Sequence, residues 1–247
     1  MILARISRAI REQNWFAVAL EFVIVIAGVV IGFQISQAAQ VRAEERQFEE
    51  LLVLIAMEME SNVETVEDYA AMTERHIRQL VALRTEMAAY SEQTDSERLD
   101  FVMTQAVSIH DRILALDTSA LDQLDDASNR RHIQGSQIER AIGEWREAVS
   151  GVRSLELGLQ AFGGIDWSAR YPALSLEAIA YAVPSPGVAE PVPPRFDSDW
   201  DALSQDRDLA GRLAVMTSLL EFTHEAAEHL ETSTSQLTDA LNAGADL

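Results

Sequence analysis

A chain of 247 residues with 48% hydrophobic residues has the material for a packed core, which excludes wholesale disorder. The formal charge is −21, and beyond residue 40 the chain holds 16 Arg against 38 acids, a balance that repels phosphate backbones and excludes a nucleic-acid binder as the leading reading. With no Cys there are no disulfides, thiol nucleophiles or thiolate metal sites, and 11 Gly, 6 Pro and 6% aromatics favour helix over sheet.

The chain opens with a basic leader, residues 1–14, carrying Arg5, Arg8 and Arg11. Trp15–Ile35 follows and is apolar except for Glu21 and Gln34. Its length matches the ~20 residues a helix needs to cross a bilayer. Residues 15–36 are therefore read as a transmembrane helix. Three Arg precede it, and two, Arg42 and Arg46, follow closely among glutamates, which orients the N-terminus toward the cytoplasm and the bulk of the chain outside it. Trp15 suits the membrane interface. A cleaved signal peptide is the rival, since Ser36, Gln37 and Ala38 resemble a cleavage site. The apolar zone starting at Trp15 and the unbroken helical pattern after it favour a retained anchor.

Glu21, Gly28, Gly32, Ile35 and Ala39 fall on one helical stripe. Gly28 and Gly32 make a GxxxG, which lets two helix backbones approach closely in lipid. Glu21 is costly in hydrocarbon and must face a partner, snorkel to the headgroups or be protonated. The stripe reads as a helix-packing interface, or as a chance GxxxG with Glu21 marking the membrane boundary. Both readings stand at the level of sequence.

Residues 37–162 read as the first part of a helical bundle. From Gln34 to Tyr90 there is no Gly or Pro. Phe48, Leu52, Ile55, Met59, Val66, Tyr69, Leu80 and Met87 keep three–four spacing, which predicts one long amphipathic helix interrupted on its seam by Asn62 and Thr73. A second helix is predicted from about Glu97 to Leu116, with Leu99, Val102, Met103, Ala106, Ile109 and Ile113 inward. Asp117, Thr118 and Ser119 offer a cap for a short helix ending near Asn129. Ser136 and Glu139 form a capping box that opens a helix through Trp145, Val149, Val152 and Leu159 to Gly163 and Gly164.

Residues 163–196 hold all six Pro and read as a loop, with a helical turn or two in Leu174–Ala182. Residues 197–247 form a C-terminal helical unit. Its seam runs through Leu209, Leu213, Met216, Leu220, Thr223, Ala227, Leu230, Leu237 and Leu241, and is expected to pack along the first long helix.

Two metal motifs fail, one on spacing and the other on residue type. His224 and His229, flanking Glu225 and Glu228, are five apart rather than the four of HExxH, so they point about 140° apart around a helix. His224 can instead pair with Glu228. Asp197, Asp199, Asp201 and Asp208 match several positions of a calcium loop. Ala202 nevertheless stands where the loop needs Gly, and Asp208 where it needs Glu. These acids read as cap and first-turn residues. No metal or other cofactor is expected.

The span and the run from Gly28 to Ile35 resemble a family of bacterial single-pass membrane proteins classified as a domain of unknown function. That family has a basic leader, an acid near the start of its span, a G-x-x-[IL]-[AG]-x-Q-[IV] run and a helical exterior. Ser119 to Ile133, Ile138 to Trp145, Asp199 to Leu203 and Arg207 to Leu213 are similar to further family stretches. Ser36 to Ala38 departs from the family's Asn-Trp-Asn ending. The resemblance implies a retained anchor and no assigned activity.

The expected fold is all-α: one N-terminal transmembrane helix continuing into a long helix of an extracytoplasmic helical bundle. The expected role is a non-enzymatic inner-membrane scaffold or accessory subunit with a periplasmic main domain. Its expected partners are the lipid bilayer and either further copies or a larger membrane-protein complex. The alternative is an extracytoplasmic ligand-sensing module working through a partner protein, because a leader of residues 1–14 cannot house an output domain.

Overall fold

The computed structural model describes residues 15–91, 93–108, 113–164, 166–175 and 197–245, with the side chains of 15–18, 105–108, 168 and 245 excepted. The leader arginines, the predicted inward face at Ala106 and Ile109, and nearly all of the Pro-containing stretch lie outside that description. All described regular structure is helical, and the fold is all-α.

Helix α1 spans Trp15–Ala88 as a single 74-residue element, as expected where no Gly or Pro intervenes after Gly32. The chain divides into two compact units, residues 1–51 and 52–247. In the first unit α1 carries an 18-residue window of mean hydropathy 2.2, none of it buried, so this helix is long and apolar enough to cross a membrane.

In the second unit the seam of α1 points inward, with Leu52, Ile55, Met59, Val66, Tyr69, Leu80 and Met87 all buried. Asp95 ends the turn that follows by accepting the Arg98 N–H at 3.2 Å, and α2 runs Ser96–Ser108 with Leu99 and Met103 inward. The chain from Ile113 to Thr118 is not helical, contrary to the helix predicted through Leu116, and Ile113 is exposed rather than inward. The short helix predicted after Ser119 comes as a 3-10 turn, Leu121–Asp125, followed by α3, Ala127–Ile133.

Gly135 closes α3 at φ 75°, the left-handed conformation that favours glycine after a helix end. Ser136 then caps α4, Gln137–Gly163, by accepting the Glu139 N–H at 3.2 Å. Glu139 returns a carboxylate to the Gly135 N–H at 2.7 Å, one residue earlier than in the standard box. Within the stretch predicted as irregular, α5, Trp167–Arg170, is a single turn capped by Asp166, and it buries Trp167 and Tyr171. Asp199 caps α6, Trp200–Ser204, and α7 runs Arg207–Ala245.

All nine predicted seam residues of α7 are buried. Thr73 meets His224 at 3.3 Å, and Leu80, Leu83 and Met87 share one core cluster with Leu209, Leu213, Met216 and Leu220. The second half of α1 and α7 therefore pack along each other, in opposite directions. Helix α4 also runs opposite to α7. Trp145, early in α4, donates its indole N–H to Thr234 at 3.0 Å, and Arg212, early in α7, donates to the carbonyl of Phe162 at 3.0 Å.

Candidate functional site

Two regions stand out from the packed core by the residues they bring together. The first is the membrane-length part of α1. Glu21, Gly28, Gly32, Ile35 and Ala39 are all exposed, and a Cβ added to Gly28 or Gly32 would meet nothing within 4 Å. The large apolar side chains around them, from Leu20 to Ile35, are 46–68% exposed. Such a surface is unfavourable in water and needs lipid or a second helix against it.

The second region is the non-helical chain from Leu114 to Ala120 with the first residue of the 3-10 turn, Leu121, held by side chains from α1 and α4. Glu58, buried on α1, accepts the Ala120 N–H at 2.6 Å, the Leu121 N–H at 3.1 Å and the Ser119 hydroxyl at 3.1 Å. It thereby caps the 3-10 turn, the role expected of Asp117 to Ser119 from sequence. One turn further along α1, Asn62 donates to the Asp117 carbonyl at 2.7 Å and accepts the Asp117 N–H at 3.0 Å. Glu156, buried on α4, accepts the Leu114 N–H at 2.6 Å and the Tyr69 hydroxyl. Burial, with the Glu156 charge and hydrogen bond, pushes the Tyr69 hydroxyl up.

This strap explains why residues 113–118 are not helical. The N–H groups of Leu114 and Asp117 go to side chains rather than to carbonyls four residues back. A sequence signal existed for the buried polar groups, though not for the segment they bind. Glu58 and Asn62 lie on the seam through Ile55 and Val66, and Glu156 lies on the seam through Val152 and Leu159. Polar residues on an apolar seam mark buried hydrogen bonding. Replacing Asn62 by Ala orphans both backbone groups of Asp117 and is expected to cost about 1–3 kcal/mol in urea unfolding, whereas an exposed control such as Glu60→Ala should cost almost nothing.

The sequence-derived metal candidates have other partners or stand apart. His224 lies 3.6 Å from Glu228, the helical pair expected, and its other ring nitrogen faces Thr73. Asp199 accepts the Ala202 N–H at 3.1 Å as a cap, while Asp197 and Asp201 are exposed. Among the described residues no three of His, Asp and Glu converge as metal ligands.

Asp208 accepts two bonds from Arg170, at 3.1 and 2.9 Å, and the Tyr171 hydroxyl at 2.7 Å. The Arg170 and Tyr171 hydrogen bonds hold its carboxyl down at about 2. Its contribution to stability is therefore complete above the unfolded value near 3.8 and is lost as pH falls through about 2. Asp208→Asn is expected to flatten that acid limb in a series of thermal melts. An unchanged limb would show that the cluster is not energetically coupled.

A groove between α3 and α4, lined by Leu124, Arg130, Ile142 and the Arg146–Asp125 ion pair, holds about 200 Å³. That is below the roughly 300–1,000 Å³ of small-molecule sites. Comparisons with protein-family models, with curated proteins and with solved structures gave no match.

Proposed function

We propose that this chain is a non-enzymatic, single-pass inner-membrane protein that serves as a scaffold or accessory subunit. It self-associates, or joins a larger membrane complex, through the Glu21, Gly28 and Gly32 face of α1. The observation that carries the reading is the open approach at Gly28 and Gly32, on a helix whose membrane-length apolar window is wholly unburied. The three leader arginines support a cytoplasmic N-terminus and a periplasmic helical domain. The resemblance of Gly28 to Ile35 to the bacterial membrane family supports a retained anchor. The acidic surface of the helical domain suits a partner with a basic face and disfavours nucleic acid.

The test is purification of the full chain in mild detergent, followed by sizing and identification of stoichiometric companions. Gly28→Leu with Gly32→Leu is expected to reduce the assembly by at least one subunit while leaving the helical domain folded. An unchanged size would remove this face from the interface. A lone monomer stabilised by one small molecule would overturn the scaffold reading in favour of a ligand-sensing module.

A further inference from the structure

We draw no further inference here: the strongest candidate, the exposed apolar face that Val53, Leu54 and Met57 form on α1, carries nothing because nothing in the structure shows what covers it.

Discussion

Glu58→Ala is expected to lower the unfolding free energy by about 3 kcal/mol or more, the largest loss of any single polar truncation in the strap. The substitution strips the side-chain acceptor from the buried N–H groups of Ala120 and Leu121 and from the Ser119 hydroxyl. Each orphaned buried donor costs about 1–3 kcal/mol, and bonds to a charged acceptor lie at the upper end. Glu58→Gln keeps one carbonyl oxygen in place and should lose about half as much. Urea unfolding of the full chain in detergent can follow this by tryptophan fluorescence, since Trp145, Trp167 and Trp200 are all buried. Amide exchange at Ala120 and Leu121 should rise in the Ala variant before global unfolding. A variant as stable as the parent would mean that the strap finds other acceptors when Glu58 is gone.

Trp200→Ala is expected to cost about 3–5 kcal/mol, because it empties a fully enclosed indole site. Trp200 is 1% exposed and shares a core with Leu99, Met103 and Leu209. Its indole N–H also donates at 3.1 Å to Asp100, a buried carboxylate on α2 that Ser198 bonds as well. Burial holds the Asp100 carboxyl above its ordinary range, while the Ser198 and Trp200 bonds draw it partly back. A raised carboxyl stabilises the fold fully below its unfolded value, and that contribution fades as pH rises through the folded value. Trp200→Phe separates volume from hydrogen bond. It should cost about 1–3 kcal/mol, and more at a pH above the raised Asp100 value, where the carboxylate loses the indole donor, than at a pH below it. An equal cost at both pH values would rule out the Asp100 contact as the cause.

Asp100 and Glu58 show where local patterns stop being informative. The seams of α1, α4 and α7 were legible because burial on one helical face repeats every three or four residues, and it does so from Leu209 to Leu241 without a miss. The caps at Ser136 and Asp199 were legible because their acceptors serve N–H groups three residues ahead. The strap was not. Ile113 continued an apolar spacing and Asp117 to Ser119 offered caps, so helix was the locally consistent choice. Its competitors, Glu58, Asn62 and Glu156, lie 62, 55 and 42 residues away in the chain from the groups they bind.

The sequence by itself determined the helical class, a helix long and apolar enough to cross a membrane, and the inward faces of the long helices. Each of these follows from composition and from spacing within a few turns. The tertiary structure decided which acids are buried acceptors and which are solvated, and that the chain from Ile113 to Thr118 is held as a non-helical strap. Those outcomes depend on which distant helix brings a carboxylate or amide to an unpaired backbone group. Folding removes water from that group, so it must be satisfied wherever an acceptor is brought to it.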